Sequence, residues 1–313
     1  MDSRQKMARR RLSPSSGWSR IRQDWELYLL LLLPIGFALL FKYASYAGLV
    51  VAFKDYKILK GFAASPWNGF ANFEKVFNTR DFTRAFRNTL LLNGLDLVVG
   101  FPAPILLALM LNEVRAKTFK KVTQTLLYLP HFLSWIIIGA IAYQIFSLSG
   151  IVNTLITNGG GTAVPFLQEN THWLVSYILI GVWQTMGWGT IIYLAAITAI
   201  NPELYEAAIV DGAGRLQQIY HITLPGIRPT IVTLLIMNLG RVMGGSFERV
   251  YALKNVATTE FTYTIPVLVY QWGLESGKYS QATALGLFQS LIGLMLVLAS
   301  DFIAKRFGED GLL

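Results

Sequence analysis

Polar side chains occur inside two long apolar runs of the sequence. Asn93 and Asp96 lie in NTLLLNGLDLVVGFPAP, and Asn238 and Arg241 lie in LLIMNLGRVMGGSFERV. Burying such a group without a partner costs several kcal/mol, so each is expected to have a partner or a function. Two interpretations follow: these side chains line a path for a polar solute, or they form an interhelical lock, for example Asp96 with Arg241.

Aromatic and amide side chains come together in a third apolar run, GVWQTMGWGTIIY. Trp183 and Trp188 offer flat faces on which sugar rings stack, while Gln184 and Thr185 can bond hydroxyl groups. These residues are candidates for the same path. The alternative is that the tryptophans pack between closely spaced helices, which small residues permit. The glycines of this run are Gly181, Gly187 and Gly189.

Nucleotide, metal and catalytic chemistry find no support in the sequence. The string from Gly273 to Tyr279 resembles a Walker loop, but it has three residues between its glycines, and Tyr279 stands where Ser or Thr would bind magnesium. The pair Gly212 and Gly214 lacks the third glycine of a dinucleotide-binding motif. No two histidines have a metal-ligand spacing; they are His131, His172 and His221. We expect no catalytic residue, no metal site and no cofactor held by this chain.

The composition indicates an integral membrane protein. Of the 313 residues, 53% are hydrophobic and only 14% charged, with a mean hydropathy of +0.45. That is too apolar for a soluble domain with a polar surface. The net charge of +9 does not indicate nucleic-acid binding, because the basic residues form no patch interleaved with aromatics. With no cysteine in the chain, disulfides and thiolate chemistry are excluded.

Six apolar runs are long enough to cross the hydrocarbon core of a bilayer, which takes about 20 helical residues. They cover residues 25–46, 86–111, 122–146, 173–200, 230–245 with some extension, and 282–302. The sequence therefore predicts an all-α integral membrane fold with six transmembrane helices and both termini on the same side.

The basic residues predict the orientation of these spans. Seven of them fall in the first 26 residues, which favours a cytoplasmic N terminus. The run after Trp25 has no small-x-small cleavage site, so we interpret it as an uncleaved span and not as a signal peptide. Segment 47–85 is an exception, since it is expected outside yet carries six basic residues. Folded loops translocate regardless of charge, and the turn signals of this segment predict a small structured cap whose aromatic side chains pack together.

The segment 201–229, NPELYEAAIVDGAGRLQQIYHITLPGIRP, predicts two short helices that meet at an angle. Asn201 can cap the first helix, with Pro202 at its first position, and that helix is expected to end near Asp211. A second short helix is expected to follow Gly214 and to be broken before the next span, because prolines stand at positions 225 and 229. Its pattern alone fits a membrane surface or a protein partner.

The spacing within this segment resembles the EAA signature of the permease subunits of binding-protein-dependent ABC importers. Glu206-Ala207-Ala208 is followed after three residues by Gly212, and after nine more by Ile222-x-Leu224-Pro225. The resemblance implies a cytoplasmic coupling loop that docks in a groove of the ATPase subunit. The implied coupling residues are Glu206, Ala207, Ala208, Asp211, Gly212, Ile222, Leu224 and Pro225.

The N-terminal third extends the resemblance. The element ending in AFKDY and the motif Trp67-x-Gly69-x-x-Asn72-Phe73 are similar to the polysaccharide or lipoprotein-type branch of the carbohydrate importers, the alginate- or pectin-oligosaccharide-like permeases. The type I importer fold is implied, divided into a basic cytoplasmic tail (1–24), a first span (25–46), an external cap (47–85), a permease core (86–305) that includes the coupling loop (201–229), and a cytoplasmic tail (306–313). The implied partners are a second permease, two ATP-binding subunits that hold ATP and Mg, and an external solute-binding protein.

We therefore expect a transport subunit of the cytoplasmic membrane that imports an oligosaccharide by alternating access, and not an enzyme. Arg241, Arg249 and the positive outer segment fit an acidic, uronate-containing sugar chain, and they fit a neutral one almost as well. The EAA loop is shared by importers of other solutes, so an amino acid or phosphate stays an alternative cargo. A membrane-embedded enzyme or a non-transporting anchor is an alternative of a different class.

Overall fold

The computed structural model describes residues 24–308 and residue 311. The basic tail predicted for 1–24 lies outside these residues except for its last position, and the tail predicted for 306–313 is described only in part. The described chain is helical, with a single isolated antiparallel bridge between Lys54 and Trp67 as its β contact. It divides into two compact units after Val51.

The first unit is an apolar helix, α1 (Trp25–Phe53), whose last two residues lie beyond the division. It begins as regular α-helix and continues through a π-helical turn at Leu39–Tyr43 into a 3-10 stretch. Its part Trp25–Ala38 buries no residue within the unit, as expected for a helix whose solvent is lipid. The helix extends past the predicted span 25–46.

The second unit contains the remaining helices, which pack side by side. They are α2 (Ala71–Phe77), α3 (Arg80–Glu113), α4 (Lys117–Tyr128), α5 (Trp135–Phe146), α6 (Ile151–Asn158), α7 (Asn170–Thr198), α8 (Pro202–Val210), α9 (Arg215–Arg241), α10 (Phe247–Leu253), α11 (Ile265–Tyr270) and α12 (Tyr279–Arg306). Shorter helical turns lie at Ile58–Lys60, Gly61–Ala64, Leu129–Phe132, Thr259–Thr262 and Gln271–Glu275. The helix α7 packs along α3, and α12 packs along α9.

Six helices of the described chain are long and apolar enough to cross a membrane, in agreement with the six predicted spans. They are Trp25–Phe53, Arg80–Glu113, Trp135–Asn158, Asn170–Thr198, Arg215–Arg241 and Tyr279–Arg306. The third differs from the predicted run 122–146, because the chain between α4 and α5 bends at the 3-10 turn Leu129–Phe132. Pro130 lies in this turn, and proline removes a helical hydrogen bond and clashes with the preceding turn.

The prediction that Pro225 and Pro229 break the helix before the fifth span is wrong. The helix α9 is continuous from Arg215 to Arg241, so it begins earlier and ends earlier than the predicted run 230–245. A π-helical turn at Ile219–Thr223, in which the N–H of Leu224 donates to the carbonyl of Ile219, precedes Pro225. The wider turn accommodates the proline ring, and Pro225 then occupies the start of a regular segment, where its missing N–H costs little.

Glycines bring α7 close to its neighbours. A Cβ at Gly187 would overlap the carbonyl oxygen of Leu127, and one at Gly189 would lie 2.9 Å from Cγ of Pro104. The backbone of α4 at Gly187 and the Pro104 ring of α3 at Gly189 therefore approach α7 closely, as the close-packing interpretation predicts. Neither tryptophan of the run is buried, since Trp183 is 43% and Trp188 is 44% exposed.

The cap predicted before α3 is built around an aromatic cluster. Phe53 stacks on Trp67 with ring centroids 5.7 Å apart and contacts Phe70 and Phe73 at 5.5 Å. The buried Asn72 fixes the cap to the chain before it, because its amide donates to the carbonyls of Ala52 and Lys54, both at 2.9 Å. The asparagine of the W-x-G-x-x-N-F motif therefore holds the cap in place through these two hydrogen bonds.

Replacing Asn72 by alanine is expected to lower the melting temperature of the purified protein by a few degrees. Leaving the buried carbonyl of Ala52 and the partly buried carbonyl of Lys54 without this donor costs about 1–3 kcal/mol. Scanning fluorimetry of the detergent-solubilised protein measures the shift. Asn78→Ala is the matched control, because Asn78 is exposed at the end of α2. Equal melting temperatures for the two variants would contradict this role.

Candidate functional site

A cavity of about 820 Å³ lies among α3, α7, α9 and α10. Its wall includes five of the residues predicted to line a path, namely Asn93, Asp96, Trp188, Asn238 and Arg241, together with Thr185. Trp183 and Gln184 are not among the lining residues, and Gln184 is buried inside α7. The chain between α9 and α10 is non-helical at Gly244 and Gly245, which also line the cavity. Irregular backbone at membrane depth is tolerated where it lines such a cavity.

The predicted lock between Asp96 and Arg241 is wrong, because Asp96 forms its ion pair with Arg249. Asp96 lies in the π-helical turn Asp96–Gly100 of α3, and Arg249 lies on α10, the short helix that follows the break. The Arg249 side chain is 8% exposed and that of Asp96 is 29% exposed. An interhelical polar lock therefore exists, with a different arginine.

The Arg249 guanidinium is enclosed by aromatic rings and by a glycine. It lies 3.8 Å from the ring centroid of Tyr177 and 5.6 Å from that of Trp135. A Cβ at Gly181 would overlap this guanidinium, so Gly181 leaves the space that Arg249 occupies. The helices α3, α5, α7 and α10 thus meet at one buried cation. Sequence reasoning did not find this cluster, because its members are distant in the chain and no local signal links them.

The other polar residues of the cavity are not interhelical locks. The amides of Asn93 and Asn238 donate to Thr89 and Leu234, four residues earlier in their own helices, at 2.8 Å in each case. Arg241 is exposed in the cavity, and within residues 24–308 it has no ion-pair partner. Glu248 is likewise exposed in the wall. Arg241 is therefore available to a solute, whereas Arg249 is already neutralised by Asp96.

An aromatic wall borders the cavity at Trp188. The ring of Trp188 stacks on His131 with centroids 4.6 Å apart and an interplanar angle of 6°, and Phe132 meets it edge-on at 5.9 Å. His131 comes from the bend between α4 and α5, so the break in the third predicted span supplies part of the wall. Among the described residues, no group of histidine and carboxylate side chains is arranged to hold a metal ion.

The segment 201–229 forms one end of the second unit. The side chain of Asn201 accepts from the N–H of Glu203 at 3.1 Å and caps α8, which ends at Val210 as predicted to within one residue. Gly212 then has φ +78, a conformation that glycine adopts without strain. The hydroxyl of Tyr205 bonds that of Thr223 at 2.9 Å, which joins α8 to the π-helical turn of α9. The segment is thus a rigid bent pair of helices.

The residues of the EAA pattern divide into an exposed and a half-buried set. Glu206, Ala207, Asp211 and Gly212 are exposed, and Ala208 is half-buried. Ile222 and Leu224 are half-buried, while Pro225 is exposed. Apolar side chains surround the exposed set, and among them Val210 is 87%, Leu216 82% and Tyr220 70% exposed. An exposed apolar patch of this kind is typical of a surface that another protein covers.

The segment is attached to the end of α3 that lies away from Arg80. Arg215 and Glu113, the last residue of α3, form an ion pair at 3.9 Å. Both side chains are more than one-third exposed, so the pair contributes little stability. It places the segment next to the C-terminal end of α3, and the rise of an α-helix puts this end about 50 Å from Arg80, the first residue of α3.

Known proteins share this architecture. Residues 100–309 match the family described as "Binding-protein-dependent transport system inner membrane component". The polygalacturonan/rhamnogalacturonan transport system permease protein YteP of Bacillus subtilis (strain 168) is 45% identical over 94% of this chain and 92% of its own length.

Two solved structures of a bacterial alginate ABC transporter are similar to this chain. In one, described as involved in the import of the acidic polysaccharide alginate, the matching chain has a TM-score of 0.85 and 42% identity over 92% of this chain and 98% of its own length. The other is in complex with an alginate pentasaccharide-bound periplasmic protein. Its matching chain has a TM-score of 0.86 and 40% identity over 95% of this chain and 100% of its own length. The chain therefore belongs to the family of binding-protein-dependent transport system inner membrane components, as a multi-pass permease subunit of an ABC importer.

Proposed function

We propose that this permease forms one transmembrane half of an ATP-driven importer of an acidic oligosaccharide. The observation that carries the proposal is the composition of the cavity wall, which combines the half-exposed ring of Trp188 with the cation of Arg241, for which the described residues provide no ion-pair partner. A sugar ring stacks on an aromatic face, and a guanidinium binds a carboxylate through two parallel hydrogen bonds. The names of the similar proteins, which concern polygalacturonan, rhamnogalacturonan and alginate, support the same class of substrate.

The charges of the wall support an acidic sugar through one particular residue. Arg249 and Asp96 neutralise each other, so Arg249 is structural. Arg241 remains as the cation that binds a uronate carboxylate. The exposed Glu248 would repel a carboxylate placed beside it, which restricts the acidic ring to the Arg241 side of the cavity. The other residues of the path act as hydrogen-bonding partners for hydroxyl groups, namely Asn93 and Asn238.

Arg241→Gln tests this assignment. The preference is the ratio of the KM for an oligosaccharide with methyl-esterified carboxyl groups to the KM for the same oligosaccharide with free uronates. This ratio is expected to fall about tenfold in the variant, because a charge-assisted hydrogen bond is lost. Competition uptake assays in proteoliposomes give the two KM values. Arg306→Gln is the matched control, since Arg306 is exposed at the end of α12 and does not line the cavity. An unchanged preference in Arg241→Gln would contradict the assignment of Arg241 as the carboxylate-binding residue, and the absence of any preference in the unmodified importer would contradict an acidic substrate.

We also propose that the segment 201–229 is the coupling loop and faces the cytoplasm. Its exposed EAA residues and the apolar side chains around them would dock in a groove of the ATPase subunit, with Gly212 at the bend. Ile222, Leu224 and Pro225 lie in α9 itself, and the half-buried Leu224 would anchor the loop against the buried cluster around Ile227. ATP and Mg would be bound by that partner, and both termini would lie in the cytoplasm. A second permease, two ATP-binding subunits and an external solute-binding protein would complete the importer.

A further inference from the structure

Three arginines form a row at the start of α3, far from the segment 201–229. Arg80, Arg84 and Arg87 are spaced i, i+4 and i+7, which places them on one face of the helix. With Thr83 and Glu260 they line an open recess of about 570 Å³. The recess is separate from the central cavity, with which it shares no lining residue.

Positive charge exceeds negative charge in this recess. Glu260 is the acidic residue of its lining, 3.8 Å from the guanidinium of Arg87, and its other carboxylate oxygen accepts from the amide of Asn170 at 2.9 Å. Arg84 lies 5.5 Å from the ring centroid of Tyr263. Burial raises the pKa of the Tyr263 hydroxyl, with a smaller contribution from Asp81, so this residue brings no negative charge. Among the lining residues one carboxylate faces three guanidinium groups, while Asp81 and Glu275 act on Tyr263 from outside the lining.

The wall that carries Glu260 is held in place by a buried amide. Asn88 is fully buried on α3, and its Nδ2 donates to the backbone carbonyls of Glu260 and Tyr263. The hydroxyl of Thr89 accepts from the N–H of Ile265 at 2.8 Å. The backbone of this wall is therefore fixed before a ligand binds.

The arginine row does not face the path through the permease. Asn93 marks the cavity side of α3, and at 100° per residue Arg87 lies about 120° around the helix axis from it. The apolar run of α3 begins after Thr89, and Arg80 lies about 10 Å farther from that run than Arg87, at 1.5 Å per residue. If that run spans the bilayer, the row extends out of it, so that lipid phosphates would reach the lower end of the row and water would surround the upper end.

We propose that Arg80, Arg84 and Arg87 form a docking site for an acidic segment on the surface of the solute-binding protein. The inference rests on the proposed function, in which the end of α3 away from the coupling loop faces that partner. Carboxylates of a folded protein can meet all three arginines at once, because a protein surface extends above the membrane as the row does. Arginine binds carboxylates through planar, paired hydrogen bonds, and a charged row also accelerates association.

The double variant Arg80→Glu/Arg84→Glu tests the docking site and leaves the pair of Arg87 with Glu260 in place. The complete importer, in nanodiscs of phosphatidylcholine alone, is titrated with the solute-binding protein of the same transport system. We expect the Kd to rise about tenfold or more and to depend less on salt. We also expect the half-maximal concentration for ATPase stimulation to rise in parallel, with the basal ATPase rate unchanged.

Lys60→Glu/Lys75→Glu is the matched control, because it makes the same change in net charge at exposed positions of the cap. Equal Kd values for the two double variants would overturn the proposal. A difference that appears only when anionic lipid is added to the nanodiscs would also overturn it, since the arginines would then bind lipid. The Kd does not depend on which sugar is carried, so a wrong substrate assignment leaves the expected difference intact.

Discussion

Replacing Gly212 by proline is expected to reduce ATP-driven uptake by at least about tenfold, because proline fixes φ near −65° and Gly212 requires a positive φ. The observed φ is +78. Proline would force the bend between α8 and α9 to open, and the exposed EAA residues on the two sides of the bend would lose their relative position. The permease should still insert in the membrane, since the bend contributes no buried side chain. Uptake per unit of membrane-inserted permease is the quantity to measure.

Gly212→Asn is the matched control for this prediction. Asparagine tolerates a positive φ better than other side chains do, and a Cβ at this position would meet no atom within 4 Å. We therefore expect Gly212→Asn to retain most of the uptake. If Gly212→Pro transported at the rate of the unmodified importer with equal expression, the coupling role of this loop would be refuted.

Asp96→Ala is expected to be the most destabilising substitution in the cavity wall. It leaves the buried guanidinium of Arg249 without its counter-ion, and removing one partner of a buried pair costs about 3–5 kcal/mol. The chain has four helices packed around this cation, so we expect a large loss of thermal stability and little functional importer. The melting temperature of the purified complex and the yield after size exclusion measure the effect.

The double variant Asp96→Leu/Arg249→Met separates the buried charge from the packing. Replacing both partners of a buried pair by apolar side chains is often neutral or stabilising, so this variant should recover most of the lost stability. If Asp96→Ala were as stable as the unmodified protein, Arg249 would have another counter-charge. Failure of the double variant to recover stability would show that the cation contacts of Tyr177 and Trp135 are needed as well.

Local patterns predicted much of the fold. An apolar run of about 20 residues specifies a membrane helix without reference to the rest of the chain, and six such helices are present. The cap of α8 by Asn201 and the bend at Gly212 also follow from local chemistry. The continuity of α9 through Pro225 does not, because the π-helical turn that accommodates the proline has no sequence signal of its own.

Long-range pairing limited what the sequence could predict about the cavity. Polar residues in apolar runs indicated that Asp96 needs a partner, but periodicity cannot choose between Arg241 and Arg249. The partner, Arg249, lies 153 residues away, and its choice depends on the helix break at Gly244 and Gly245 that redirects α10. The same limit applies to Trp183, whose neighbour Trp188 lines the cavity while Trp183 does not.

The basic residues of segment 47–85 were an exception to the charge rule in the sequence. The structure places Arg80 and Arg84 on the recess at the start of α3, and Lys54 over the ring of Phe62 in the cap. The clustering of Arg80 and Arg84 on one recess gives a physical reason for basic residues on the side away from segment 201–229. Orientation rules count charges, and they do not distinguish a solvated lysine from an arginine in a binding surface.

The most direct test of the proposed function is ATP-driven uptake by the reconstituted importer. The complex containing this chain is placed in proteoliposomes with ATP and Mg inside, and the solute-binding protein and a labelled uronate oligosaccharide outside. We expect the oligosaccharide to accumulate inside only when both ATP and the solute-binding protein are present. Accumulation of an amino acid or phosphate in its place, or oligosaccharide uptake that is independent of ATP, would contradict the account.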